Sequence, residues 1–275
     1  MEKIEYEIDS KNKIGFGLKE LWDNRELLYF FTWRDIKVKY KQTVLGVLWA
    51  VLQPVILMLT FTLFFNHSLG VKSGSIPYPV FVFSGLIAWN VFSNGVSNAG
   101  SSMVSNAGII KKIYFPRLII PISAILVALF DFFIAFLIEI ALLFYYHVSF
   151  SIPTMLVCVS VSMLITLLSG FGLGCLLASL NVKYRDFRYI IPFLLQIWMF
   201  ATPVLYPISF VQNKIIATIL NLNPMVGAAQ LSRAFIDGTP VFNSEVLLSL
   251  AMSLVFFFGG LAYFRRTESY FADIA

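Results

Sequence analysis

The sequence predicts an all-α polytopic membrane protein with six transmembrane helices, an amphipathic interfacial helix before the first of them, and re-entrant outer helices between the fifth and the sixth. Of the 275 residues, 59% are hydrophobic and only 13% are charged, whereas about a quarter of a soluble domain is charged. Six apolar runs are long enough to cross a bilayer. The basic residues cluster in alternate connecting segments, as the positive-inside rule requires.

The amino-terminal region combines a polar tail with a helix. Residues 1–17 alternate in charge sign and have little to bury, which predicts a mobile cytoplasmic tail. Within residues 18–43, Trp33, Ile36 and Tyr40 form an apolar stripe at helical spacing beside a basic stripe, which predicts an amphipathic helix along the membrane surface. A basic flank that only orients the first span is the alternative. The predicted interfacial residues are Trp33, Arg34, Lys37, Tyr40 and Lys41.

The predicted spans follow in order. The first, residues 44–65, is an uncharged run of roughly 33 Å as a helix, which matches a hydrocarbon core of about 30 Å. The second half of the next span is rich in Gly, Ser and Asn, which is typical of a helix that packs tightly against protein or lines water. The sequence leaves both interpretations open. The other predicted spans are residues 79–104, 118–146, 153–180, 189–205 and 246–264, followed by a cytoplasmic tail at 265–275.

Residues 206–245, between the fifth and sixth spans, are too polar and too often interrupted by Pro and Gly to form one span. Two short apolar stretches within them predict short helices that dip into the outer leaflet. These helices should pack against protein, because free backbone in lipid is costly. We interpret the segment as an outer gate, with Tyr206, Pro207, Pro224 and Gly227 as its candidate residues.

The basic residues predict the orientation. With a cytoplasmic amino terminus, 17 of the 20 Lys and Arg residues fall in cytoplasmic segments, and only Lys72, Lys214 and Arg233 fall outside. This partition favours both termini in the cytoplasm and a location in the cytoplasmic (inner) membrane. Because the charges flank spans, the net charge of +5 does not indicate nucleic-acid binding.

Signatures of catalysis are missing from the sequence. It has no GxxxxGK[ST] string, so the chain cannot bind ATP through a P-loop of its own. His67 and His147, the only histidines, fall at outer span ends, where they serve no triad or zinc site. Cys158 and Cys175 lie in one apolar run and are expected to be packing residues. We therefore predict no catalytic residue, no metal site and no cofactor bound by this chain.

Two acidic residues, Asp131 and Glu139, fall inside predicted spans, where a charge suggests function by default. Eight residues separate them by about 12 Å along a helix, more than the roughly 5 to 9.5 Å between the carboxyl groups of glycosidases. Asp131 is expected near mid-membrane, paired with a hydroxyl or amide group of a neighbouring helix. Glu139 is expected near the outer interface, where exposure costs little.

Three strings carry a resemblance to a known family: RDIKVKYKQTVLGVLWAVLQP from Arg34, IIKKIYFPRLIIP from Ile109 and ATPVLYPISF from Ala201. They resemble the membrane subunits of ABC-2 type transporters that export polysaccharides such as O-antigen and teichoic acid, and the similarity extends over nearly the whole chain. The resemblance implies a permease homodimer that pairs with two copies of a cytoplasmic ATPase. It also implies that ATP and Mg²⁺ bind to that partner and that the substrate is a lipid-linked polysaccharide.

A pump with a separate ATPase needs a cytoplasmic element that carries force into the spans, and residues 109–117 are the candidate. Ile109, Ile110, Ile113 and Tyr114 recur at helical spacing as an apolar face for the partner, and a proline would end this short helix. A loop that only orients the chain is the alternative. The predicted coupling residues are Ile109, Ile110, Lys111, Lys112, Ile113, Tyr114, Phe115, Pro116 and Arg117.

Aromatic residues are abundant, with 28 Phe, 12 Tyr and 5 Trp. Most are expected in the core and in interfacial belts. In the resembled family, spans one, two and five line the translocation path, so the resemblance implies that aromatic rings on these spans stack on the apolar faces of sugars. These residues are Trp49, Trp89, Phe92, Trp198, Phe200 and Tyr206.

Two other classes of function remain as alternatives. An intramembrane enzyme acting on a lipid-linked sugar would use Asp131 as its acid or base, but the sequence offers no second polar cluster beside it. A passive channel would not need the conspicuous loop at residues 109–117. The sequence therefore favours the export permease.

Overall fold

The computed structural model describes residues 18–41, 46–68, 70, 74, 76–238, 241–268 and 271. Every regular element among these residues is helical. The predicted tail at residues 1–17, and residues 269–270 and 272–275 of the tail predicted at 265–275, lie outside the described residues. The α-helices are α1 (Leu18–Asp23), α2 (Arg25–Lys41), α3 (Leu48–Phe61), α4 (Tyr78–Ser105), α5 (Ala107–Ile110), α6 (Ile119–Tyr145), α7 (Ile152–Lys183), α8 (Phe187–Ala201), α9 (Lys214–Asn221), α10 (Pro224–Asp237) and α11 (Ser244–Thr267).

Five described helical segments are long and apolar enough to cross a membrane: Leu48–His67, Tyr78–Ser105, Ile119–Tyr145, Ile152–Lys183 and Ser244–Thr267. The first of them joins α3 to a π-helical turn, Thr62–Ser68. A bent pair, Ile215–Asn221 and Pro224–Ile236, has its axes at 84° and raises the number to six if it is taken as one span. The predicted class, an all-α polytopic membrane protein, is confirmed.

Helix α8 is shorter than the fifth predicted span. It has 15 residues, or roughly 22 Å of helix, and ends at Ala201 instead of continuing to residue 205. Thr202 has an extended backbone, with φ −104° and ψ 134°, because the following Pro203 disfavours a helical conformation at the residue before it. The chain therefore leaves the helical path before the predicted end of the span.

Helix α4 is the centre of the bundle and packs against α6, α7, α10 and α3. Its first half is buried nearly all round, including Phe83 and Leu86, which are both fully enclosed. We call the end of the bundle that carries Lys111, Lys112 and Arg185 the basic end. Helices α4, α7 and α11 finish at this end, and α6 and α8 begin there.

The crossing of α7 and α11 depends on two glycines. A Cβ atom at Gly260 would lie 1.8 Å from the carbonyl oxygen of Gly172, and one at Gly172 would lie 2.1 Å from that of Phe256. Small residues at such crossings let the two backbones touch, which is a common way to pack helices in membranes. The two helices are thereby fixed at close range on one side of the bundle.

The amino-terminal helices contact the bundle. The single helix predicted over residues 18–43 is interrupted at Asn24, and α2 runs beside α6. The Phe31 ring, 3% exposed, lies 5.6 Å from that of Phe115, and the Tyr40 ring lies 6.1 Å from that of Phe130. Part of the apolar surface of α2 therefore packs on protein, and the predicted position of this helix on the membrane surface stays a prediction.

Candidate functional site

One face of α4 carries amide and hydroxyl side chains that remain partly or fully exposed. A spacing of three or four residues puts them on one side of the helix. The other side packs through small residues: a Cβ at Gly100 would lie 2.8 Å from Ile191 of α8, and Gly174 of α7 lies against Ala99. Tight packing against protein, one of the two interpretations that the sequence left open, is thus observed on one face, and lining of water by the opposite face stays a prediction. The polar stripe consists of Asn90, Ser93, Asn94, Ser97, Asn98, Ser101 and Ser105.

The polar stripe borders a cavity of about 70 Å³ between α2, α3, α4 and α6. Asp131 of α6 lies in its wall, where the carboxylate accepts hydrogen bonds from the Lys39 ammonium and the Tyr40 hydroxyl. Burial and the hydrogen bond to Asp131 raise the pKa of Tyr40, so its hydroxyl remains a proton donor. A hydroxyl partner agrees with the prediction for Asp131, whereas the ammonium partner from α2 was not predicted. The other polar residues of the wall are Gln53, Asn90 and Asn94.

Glu139 lies in a different environment from the predicted one. It was expected near the outer interface, where exposure costs little, but it is only 3% exposed. Its Oε1 atom is buried and has no hydrogen-bond partner in the described part of the chain. The expected exposure is wrong because this side chain lies inside the bundle, where α6 packs against α4.

Three of the six aromatic residues predicted to line a path form a cluster inside the subunit. Trp89 and Phe92 of α4 are 4% and 1% exposed, with ring centres 5.5 Å apart. Phe92 contacts Trp198 of α8 edge to face, also at 5.5 Å, and Trp198 lies 6.1 Å from Phe256 of α11. These rings fill the space between α4, α8 and α11.

The other three aromatic residues lie nearer the surface of the subunit. Trp49 and Phe200 are 50% and 54% exposed. The half-buried Tyr206 donates a hydrogen bond of 2.9 Å from its hydroxyl to the Phe200 carbonyl oxygen. That these six residues line a translocation path stays a prediction.

The predicted outer gate contains two capped helices. The Asn213 side chain accepts a hydrogen bond from Ile215 N at 2.9 Å, and that of Asn223 accepts one from Met225 N at 3.0 Å, so each asparagine starts a helix in the usual N-cap manner. Pro224 follows the second cap, where a proline fits the first helical turn. The sharp bend between α9 and α10 is therefore encoded locally.

Helix α10 inserts into the bundle opposite the basic end. The Ser162 hydroxyl of α7 donates to the Ala228 carbonyl oxygen at 2.8 Å, and Ser169, two turns farther along α7, contacts Met225. Helix α10 therefore runs antiparallel to α7, with its amino terminus deepest in the bundle. Gly227 donates from its amide nitrogen to Ser249 of α11 at 3.1 Å. Gating by this segment stays a prediction.

The predicted coupling loop does not form one apolar helical face. Helix α5 ends at Ile110, so the proline at position 116 does not terminate it as expected. Ile110 and Phe115 are buried in the subunit at 7% and 6% exposure, whereas Ile113 and Tyr114 are 62% and 93% exposed. Turns at residues 111–113 separate the buried from the projecting residues. Elsewhere in the loop, Lys111 and Lys112 are exposed and Ile109, Pro116 and Arg117 are half-buried.

Helix α2 and the coupling loop are joined by contacts that the sequence did not reveal. Arg34 donates to the Asn106 side chain at 3.0 Å, and its guanidinium lies 4.6 Å from the centre of the Phe31 ring, which packs on Phe115. Of the other predicted interfacial residues, Trp33, Lys37 and Lys41 are exposed. Helix α2 therefore packs against the coupling loop through Phe31 and against the end of α4 through Arg34.

A helical bundle with several membrane spans, an accessible polar stripe and a bent helix pair at one end is an architecture compatible with a membrane transport protein. The chain belongs to the ABC-2 type transporter family, whose model matches residues 26–236. It is therefore a transport subunit, and the alternative of an intramembrane enzyme is not supported.

The most similar relatives include export proteins. The chain is 32% identical to the O-antigen export system permease protein RfbA of Myxococcus xanthus over 260 residues, which cover 93% of this chain and 98% of the relative. It is 29% identical to RfbA of Klebsiella pneumoniae over 264 residues, with coverage of 95% and 98%. It is also 27% identical to the polysialic acid transport protein KpsM of Escherichia coli over 240 residues, with coverage of 86% and 91%.

Proposed function

We propose that this chain is the membrane subunit of an ATP-driven exporter of a lipid-linked polysaccharide in the cytoplasmic membrane. The observation that carries the proposal is the match along most of the chain to an O-antigen export system permease protein and to a polysialic acid transport protein. A polymer rich in hydroxyl groups needs hydrogen-bonding partners during its passage through an apolar membrane. The polar stripe on α4 supplies such groups.

A second copy of the chain would complete the path. The polar stripe is accessible in a single subunit, and amide and hydroxyl groups in direct contact with lipid are unfavourable. Two stripes that face each other across a two-fold axis would enclose a polar channel, and cyclic dimers are the commonest oligomers. We therefore assign a homodimer with the α4 stripes toward its axis.

ATP hydrolysis is assigned to a separate cytoplasmic subunit, present in two copies. Ile113 and Tyr114 project from the basic end and suit insertion into an apolar cleft of such a partner, since exposed aromatic residues often dominate binding energy. ATP and Mg²⁺ would bind to that partner. Both termini of the permease and its coupling loop would lie on the cytoplasmic side, in agreement with the distribution of basic residues.

Export can be tested in cells that lack this chain and are complemented by variants. The surface polysaccharide, labelled on intact cells, should be lost without the chain while the total amount of glycan made by the cells persists inside. Copurification of an ATPase with the affinity-tagged chain should accompany restored export. Normal surface polysaccharide in cells without the chain would contradict the proposed substrate.

A further inference from the structure

Arg233 is a buried charge, in a segment that the sequence predicts to lie on the outer side of the membrane. It lies on α10 and is 5% exposed. Its guanidinium donates hydrogen bonds to the carbonyl oxygens of Pro203 at 3.0 Å and Val204 at 2.7 Å, and lies 3.6 Å from the centre of the Phe81 ring. The planar fork of an arginine can make all three contacts together, whereas a lysine cannot. One side chain thus joins α10 to the turn after α8 and to α4.

Gly85 of α4 provides the space for this guanidinium. A Cβ atom at position 85 would lie 2.2 Å from Nη2 of Arg233 and 3.3 Å from the Val204 side chain. Even a methyl group would therefore displace the guanidinium or separate α10 from α4. A glycine is needed at position 85 for space, because the Arg233 side chain of α10 lies where a Cβ atom would be.

We propose that Arg233 is the positioning residue of the outer gate. It holds α10 and the turn at residues 203–204 against α4 as one body, and release of its hydrogen bonds lets the gate move away from α4. The inference rests on the gate within the export function proposed above. Its test uses a readout that is independent of export.

The two native cysteines report on this arrangement. Cys158 is fully buried on α7, one turn from Ser162, whose hydroxyl bonds to Ala228 of α10. Cys175 is also fully buried, but it belongs to the apolar cluster at the basic end that includes Phe264. Displacement of α10 should uncover the Cys158 thiol, while only a general loss of packing should uncover Cys175.

The rate at which N-ethylmaleimide labels the purified full-length permease reports the accessibility of both thiols in one experiment. Arg233→Met should raise the labelling rate of Cys158 by roughly tenfold or more, because labelling follows the local opening equilibrium and a charge-assisted hydrogen bond changes it by about this factor. Gly85→Ala should act in the same direction. Arg233→Lys should give an intermediate rate, since it keeps the charge and loses the fork. Cys175 should stay protected in all three.

Two matched controls address non-specific effects. Gly259→Ala places a methyl group in open space on a spanning helix, and Arg266→Met removes an exposed arginine at the basic end. Neither should change Cys158 labelling. A variant that exposes both cysteines has lost its fold. In that case the labelling rate of Cys158 in Arg233→Lys tests the positioning role.

Two results separate this inference from the function on which it rests. Protection of Cys158 in Gly85→Ala and in both Arg233 variants would overturn the positioning role. Faster labelling of Cys158 together with undiminished surface polysaccharide would support the positioning role and contradict the gate.

Discussion

Asp131 and Glu139 illustrate what a sequence can reveal about single charged residues inside a membrane protein. Both are recognisable as unusual, because acidic residues in apolar runs are rare. The ammonium partner of Asp131 is not recognisable, because Lys39 is 92 positions away from it in the chain. No local pattern connects residues so distant in the chain. The sequence therefore shows that these two charged residues are unusual, but it predicts neither the ammonium partner of Asp131 nor the burial of Glu139.

Substitutions at Asp131 should show coupling to α2. Asp131→Asn should lower the free energy of unfolding less than Asp131→Ala, because an amide can still accept the Tyr40 hydrogen bond. The coupling between Asp131→Asn and Lys39→Met should be small but measurable, about 0.2–1 kcal/mol, since the Lys39 side chain is 36% exposed and solvent weakens the pair. Thermal unfolding of the solubilised single and double variants measures this cycle. Strict additivity of the two changes would contradict the contact.

At the level of helices, hydropathy found the long elements because each presents an uninterrupted apolar run, and α4, α6, α7 and α11 occupy four of the predicted spans. Hydropathy did not predict the end of α8, where the residue before a proline leaves the helical conformation. It also did not predict the contact of α2 with α6. It also predicted one apolar face for the coupling loop, because helical spacing does not show that a short helix stops at Ile110. Elements whose position depends on a distant partner were therefore predicted least well.

The close crossing of α7 and α11 should tolerate no added carbon atom. Gly260→Ala should destabilise the permease by about 1–3 kcal/mol, the usual range for overpacking, because its methyl group would meet the Gly172 carbonyl. Gly259→Ala, at the neighbouring position with open space, should stay within about 0.5 kcal/mol of the original protein. The apparent Tm of both variants in detergent provides the comparison. Equal stability of the two would contradict the crossing.

The coupling loop should act through its projecting residues. Tyr114→Ala and Ile113→Asp should each abolish export and reduce copurification of the ATPase, since these exposed apolar groups would anchor the partner. Both side chains are largely exposed in the subunit, so membrane insertion should be unaffected. The double substitution Lys111→Gln with Lys112→Gln should have a smaller effect. If only the lysine pair proved essential, the loop would be an orientation signal and α2 the next candidate for coupling.

On the scale of the whole molecule, the proposed export function requires an orientation in which the basic end faces the cytoplasm. The 17 to 3 division of basic residues favours this direction. It places the bent pair α9 and α10 at the external surface and the coupling loop at the internal one. The structure describes exposed residues at both ends, so the orientation can be measured directly.

Single cysteines at the two ends should differ in their reaction with a membrane-impermeant thiol reagent in intact cells. Phe242→Cys replaces a side chain that is 62% exposed opposite the basic end, and Tyr114→Cys replaces one that is 93% exposed at the basic end. Phe242→Cys should be labelled from outside, and Tyr114→Cys only after the cells are opened. The native Cys158 and Cys175 are buried and should add little background. Labelling of Tyr114→Cys in intact cells would reverse the proposed orientation.

The central claim, that this chain moves a lipid-linked polysaccharide at the expense of ATP, is tested most directly by transport in vesicles. The permease and its copurified ATPase would be reconstituted with the lipid-linked glycan, and a glycan-specific probe would measure how much of it crosses the bilayer. We predict transport that requires ATP and Mg²⁺ and that stops with Tyr114→Ala. Glycan that stays on its original side while ATP is hydrolysed, or that crosses equally well without ATP, would contradict the account.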